Sequence, residues 1–210
     1  MGIILWAALG WTGGALHATG QDQVGPAWSA CQVEHLMNRA GFGVTGAEIA
    51  AALAATPQEF VEHLCTARAE WQAVEPTLIR WEDFDLDPRG VPVPPEQSKY
   101  KDVSRKEASQ IKSELARIDH RQFMDYVDAY FRSMIDGGDP LNDRMTLFWH
   151  GFFTTASPVV LRKFELINQH QFLRRNALGS FRDLLHGIVR DPAMLQYLDN
   201  NTNVKGHPNE

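Results

Sequence analysis

Apolar residues in this chain recur every three or four positions, the spacing that puts them on one face of an α-helix. Ser29 reads as the N-cap of a helix running through Arg39, with Val33, Leu36 and Met37 on a shared face. Gly41-Phe42-Gly43 stops it, with a glycine expected in the left-handed C-cap conformation. Thr45 and Glu48 form a capping-box pair that opens an alanine-rich helix from Ala47 to Ala55. Thr56-Pro57, with Glu59 close behind, opens a third helix whose apolar face is Phe60, Val61 and Leu64.

The longest periodic stretch runs from Ser104 to Ile135. There Ile111, Leu115, Ile118, Phe123, Tyr126, Tyr130, Phe131 and Met134 recur at helical spacing. Gly137-Gly138 ends it, and Pro140 opens a helix carrying Leu141, Met145, Phe148, Trp149 and Phe152. Thr154 to Pro158 breaks the pattern. Three further helices are predicted, from Val159 to about Asn176, from Phe181 to Val189 and from Pro192 to Leu198. No alternating strand pattern competes. The fold class is therefore all-α, a multi-helix domain with short loops spanning residues 28–210. Residues 82–102 interrupt it as a proline-rich acidic insertion, expected to be exposed and partly mobile.

Composition adds little and removes some options. Of 210 residues, 44% are hydrophobic and 22% charged, which suits a packed globule rather than a disordered chain. The net charge of −6 weighs against nonspecific nucleic-acid binding, so no nucleic-acid partner is expected. Residues 1–20 have the outline of a signal peptide. An apolar run from Ile3 to Trp11 is followed by small residues ending at Ala18-Thr19-Gly20, although no Lys or Arg precedes the run. A buried first helix or a displaced start codon would also account for it. The run is too short to cross a membrane, and no span is expected elsewhere. Cys31 and Cys65 could pair in an exported protein or pack as small apolar thiols.

Candidate chemistry rests on a few residues. His35, His150 and His170 are the candidate metal ligands, although none forms a close two-ligand pair on one helical turn. Each could equally hydrogen-bond within a helical interface. His150 lies among aromatic residues, where desolvation would favour its neutral form and its acceptor nitrogen would need a partner. Asp199, Asn200, Asn201, Asn203, Asn209 and Glu210 read as a capping turn or as oxygen ligands and sugar-binding amides. Arg174, Arg175 and Arg182 could grip an anion or pair with Asp183 and Asp191. Asp83, Asp85 and Asp87 lack the glycine and distal glutamate of a calcium-binding EF-hand loop. No GxSxG elbow, Walker loop, GxGxxG or CxxCH motif occurs.

Five ordered blocks together resemble a bacterial family known as domain of unknown function 1800. They are His35 to Gly43, Leu147 to Thr155, Arg175 to Leu185, Asp191 to Leu195 with Leu198-Asp199-Asn200, and Lys205 to Glu210. Position 38 departs from the pattern, with Asn where the family leads one to expect Arg. The family pattern continues beyond Glu210 into a helix rich in Arg, Glu and Leu, so the chain is expected to be a fragment. The resemblance implies an exported protein, periplasmic or extracellular, often encoded beside another exported protein. It supplies no catalytic residues to carry over.

Two functions follow as expectations. The first is a binding or assembly component that works with another exported protein, with an exposed apolar patch as its signature. The second is an exported, hydrolase-like enzyme acting on a cell-surface or extracellular polymer. Its catalytic candidates are His150, Asp199 and Glu210, which should converge within about 10 Å. A metal module built from His35, His150 or His170 would require ring nitrogens about 3–4 Å apart. No cofactor is specified by the sequence.

Overall fold

A computed structural model describes residues 28–66, 81–87 and 92–207. The expected signal peptide at 1–20, the linker at 21–26, insertion residues 88–91 and the pair Asn209 and Glu210 lie outside them. The described residues form α1 (Ala30–Ala40), α2 (Gly46–Leu53), α3 (Pro57–Thr66), α4 (Arg105–Asp136), α5 (Pro140–Phe152), α6 (Lys163–Asn176), α7 (Phe181–Ile188) and α8 (Pro192–Tyr197). The fold is all-α, with no β-sheet among the described residues.

The local start signals operate as the sequence predicts. Glu48 Oε2 accepts from the Thr45 backbone N–H at 2.6 Å, and the Thr45 hydroxyl accepts from Glu48 N–H. Thr56 with Glu59 and Ser104 with Glu107 repeat the arrangement at α3 and α4. Each cap satisfies N–H groups that a helix cannot satisfy internally. Gly137 closes α4 at φ 70°, a conformation that costs glycine little and other residues more.

Gly41 does not take the expected left-handed conformation; its φ is −138°. Glycine serves there for another reason. A Cβ at Gly41 would lie 2.8 Å from Pro140 Cβ, so its absence lets α1 end against the start of α5. Positive φ falls two residues later, at Gly43.

α6 is the central helix, packed against α4, α5, α7 and α8. It starts at Lys163, four residues later than predicted, because its cap comes from a distant helix. Asp119 on α4 accepts from the Lys163 and Phe164 backbone N–H groups at 2.7 and 3.0 Å. Val160, Leu166 and Ala193 pack together on one side of α6. Phe153, Leu173, Leu184, Ile188 and Met194 form a second cluster. α7 fits tightly here: a Cβ on Gly187 would lie 2.0 Å from the Phe172 ring. α1 to α3 form their own cluster around Val33, Met37, Ala52 and Leu64, reaching α5 through Leu141.

The described residues of the acidic insertion are largely exposed, as expected, but three apolar residues anchor it to the helices. Phe84, Leu86 and Tyr100 are buried, and Phe84 and Leu86 pack on Leu115 and Ile118 of α4. The Arg162 guanidinium lies 3.6 Å over the Phe84 ring. Asp85 accepts from Ser98 Oγ and Lys99 N–H and pairs with Lys112 at 2.8 Å, so its charge holds the segment to α4. Cys31 and Cys65 both lie on the surface, which corrects the reading of them as packed apolar thiols.

Candidate functional site

α6 is buried almost all round, yet it carries Glu165, Gln169, His170 and Arg174. Spacings of four residues place Glu165 with Gln169, and His170 with Arg174, on adjacent faces. Two polar centres result.

The first centre joins α4, α5 and α6. Tyr126 Oη and His170 Nδ1 lie 2.7 Å apart, and the Tyr130 ring meets the His170 ring edge-on at 4.3 Å. Tyr130 Oη donates to the Asp143 backbone carbonyl at 3.1 Å. Asp139 and Asp143, 2% and 1% exposed, sit at the N-terminal end of α5, where the helix dipole favours negative charge. Arg174, in the last turn of α6 where positive charge is favoured, reaches both. Its Nε donates to Asp143 Oδ1 at 3.1 Å and its Nη2 lies 3.9 Å from Asp139 Oδ2. Burial pushes the Asp143 carboxyl up, and Arg174 pulls it partly back.

His150 lies beside this centre, with its ring centroid 6.1 Å from that of His170. Burial lowers the basicity of His150, consistent with its aromatic surroundings. His170 is pushed down to about 3, first by desolvation and then by His150 and Arg174. Both imidazoles are therefore neutral at pH 7. His150 Nδ1 and His170 Nε2 are buried and make no hydrogen bond among the described residues. Burial also raises the Tyr126 and Tyr130 hydroxyls well above the ordinary phenol value, so both stay protonated.

The second centre joins α6 to α8. Thr155 Oγ1 donates to Gln169 Oε1 at 2.6 Å, and Gln169 Nε2 donates to Asp191 Oδ1 at 2.8 Å. The same Asp191 oxygen accepts from Met194 N–H at 2.9 Å, capping α8. Gln196 Nε2 donates to Glu165 Oε2. Glu165 is 2% exposed, and desolvation pushes its carboxyl up to about 7.

Of the candidates from sequence, the fold brings together His150 and His170. His35 is exposed on α1. Asp199 is exposed after α8, at φ 53°, where its carbonyl accepts from Thr202 Oγ1 and its N–H bonds Gln196. Glu210 lies outside the described residues. Arg174 forms ion pairs as the pairing reading expected, but with Asp139 and Asp143 instead of Asp183 and Asp191. No group of three or more His, Cys, Asp or Glu suited to a metal occurs among the described residues.

Sequence reading treated Tyr126 and Tyr130 only as apolar positions and passed over Glu165 and Gln169. The available signal for Glu165 and Gln169 was their four-residue spacing on one face of the helix read from Val159 to about Asn176. The residues of both centres lie outside the groove between α2, α3 and α4 and outside the smaller one beside the insertion.

The described residues thus define a helical protein with two buried polar centres threaded on one internal helix. The chain belongs to the family described as "Protein of unknown function (DUF1800)", which matches residues 35–210. No curated protein and no solved structure matches the chain. No helix among the described residues is long and apolar enough to cross a membrane.

Proposed function

We propose that this protein is an exported binding or assembly component that works with another exported protein through the aromatic face of α5 and α7. The observation that carries this reading is a set of exposed rings on a rigid base. Phe148, Phe152 and Phe181 are 54%, 61% and 49% exposed. Phe148 and Phe152 stack at 6.4 Å, and Trp149 lies between α5 and α7 with Phe181 stacked on it at 5.7 Å. Trp149 Nε1 donates to the Ala177 carbonyl at 2.9 Å, which fixes the base. Leu185 and Val189 extend the face along α7. Contiguous exposed aromatics of this kind are characteristic of the centres of protein interfaces.

The test is co-purification from the producing bacterium after fractionation, with wild type and a Phe148→Ser/Phe152→Ser variant. One exported protein should accompany the wild type in stoichiometric amount and be lost from the variant, while the variant melts like wild type. Identical co-purifying proteins from both would end the proposal for this face. The mass of the exported form tests the leader, since cleavage near Gly20 is expected. Intact Met1 in the cytosolic fraction would end the export reading.

An enzyme acting on an extracellular polymer is the second reading. It is favoured by the buried Nδ1 of His150, which makes no hydrogen bond among the described residues, a pattern common at catalytic sites. Polymer hydrolysis by the purified chain, lost in His150→Gln at unchanged stability, would replace the binding proposal.

A further inference from the structure

A groove of about 1170 Å³ separates α2 and α3 from the C-terminal end of α4 and the start of α5. One wall is built from Ala51, Phe60 and Leu64, the other from Phe131, Met134 and Leu147. At its margin Phe131 is 56% exposed and Ile135 84% exposed, on successive turns of α4. These apolar side chains face water at a cost of roughly 25 cal/mol per Å² that an occupant would remove.

Four observations identify the occupant. The volume exceeds the roughly 300–1,000 Å³ of ordinary small-molecule pockets. The walls are helices, and α2 with the turn after it presents Ala47, Ala51 and Ala55 to the groove, small side chains that allow another backbone to approach closely. No sheet edge exists among the described residues to pair with an extended strand. Among the described residues the charge is one-sided: Glu48 and Asp136 line the groove, with His63 as its basic side chain and no Lys or Arg. We propose that this groove receives an amphipathic helix of a partner protein, with apolar residues at three- and four-residue spacing and Lys or Arg along its margins. The site is separate from the aromatic face, and the inference stands if the function proposed for that face fails.

The experiment uses the full chain and two fluorescein-labelled synthetic 18-residue peptides of helical Leu pattern, one with Lys and one with Glu at the polar positions. Fluorescence anisotropy at 150 mM salt should show the Lys peptide binding at least tenfold more tightly than the Glu peptide. Ala51→Trp, which fills the groove, and Ile135→Ser, which leaves the fold untouched at an exposed position, should each weaken binding at least tenfold. Asp136→Asn should weaken it about threefold, and Phe148→Ser/Phe152→Ser should leave it unchanged. Equal binding of both peptides, or no effect of the groove variants, overturns the proposal. So does a groove filled by a second copy, seen as a dimer in sedimentation that Ile135→Ser disperses. Loss of Lys-peptide binding in the Phe148→Ser/Phe152→Ser variant alone would place the binding elsewhere and also overturn it.

Discussion

Glu165 and His170 sit five residues apart on α6, and burial treats them in opposite ways with the same result. The carboxyl is pushed up to about 7 and the imidazole down to about 3, so each tends towards its neutral form. A low-dielectric interior penalises charge of either sign. Around Glu165 the remedy is amides: Gln169 and Gln196 donate to carboxylates without adding charge. Around His170 the remedy is pairing, with Arg174 set between two carboxylates. A buried amide network tolerates a neutral acid, whereas a buried ion pair depends on both partners remaining in place.

The largest expected effect comes from His170. Between about pH 3 and its ordinary value of 6.5, the unfolded chain holds a proton that the folded one rejects. Stability from this group is complete above pH 6.5 and lost as pH falls towards 3, by on the order of 5 kcal/mol at about 1.4 kcal/mol per pH unit. His170→Gln should flatten that acid limb in urea unfolding curves measured from pH 3 to 7. An unchanged limb would show that the ring is not buried in its neutral form.

Arg174→Ala attacks the paired centre directly. It leaves Asp139 and Asp143 buried without their guanidinium, a loss of about 3–5 kcal/mol for a broken buried pair. Chemical denaturation at pH 7 should show it. A loss below about 1 kcal/mol would mean that the α5 dipole already supports both carboxylates.

Glu165 has the opposite sign and a smaller reach. Its stability contribution is complete below the ordinary value of 4.5 and is lost as pH rises through 7, on the order of 3 kcal/mol in all. Between pH 4.5 and 6.5 the two groups oppose each other, so these contributions cancel to a plateau. Glu165→Gln should tilt that plateau upwards with pH, and His170→Gln should tilt it downwards. Parallel shifts in both variants would dissolve the distinction between the centres.

Much of the fold is legible before folding. Tyr126 and Tyr130 illustrate what is not: helical spacing placed them correctly on the inner face of α4, but nothing local showed that their hydroxyls would meet His170 and the Asp143 carbonyl. His150 and His170 were each visible as histidines in helices. Their approach depends on how α5 packs on α6, which the nineteen intervening residues do not specify. The prolines and acids of the insertion announced its exposure, but not that Phe84, Leu86 and Tyr100 would anchor it.

By itself the sequence determined where most helices begin and which faces turn inward. Caps such as Thr45 with Glu48 and Ser104 with Glu107 act across three residues, and helical periodicity is a property of each segment alone. Tertiary structure decided the rest: the Asp119 cap that fixes the start of α6, the choice of Asp139 and Asp143 as partners for Arg174, and the burial that neutralises Glu165 and His170. The physical reason is range. A hydrogen bond within one turn is written in adjacent letters, but desolvation and ion pairing between distant helices exist only once the helices have packed.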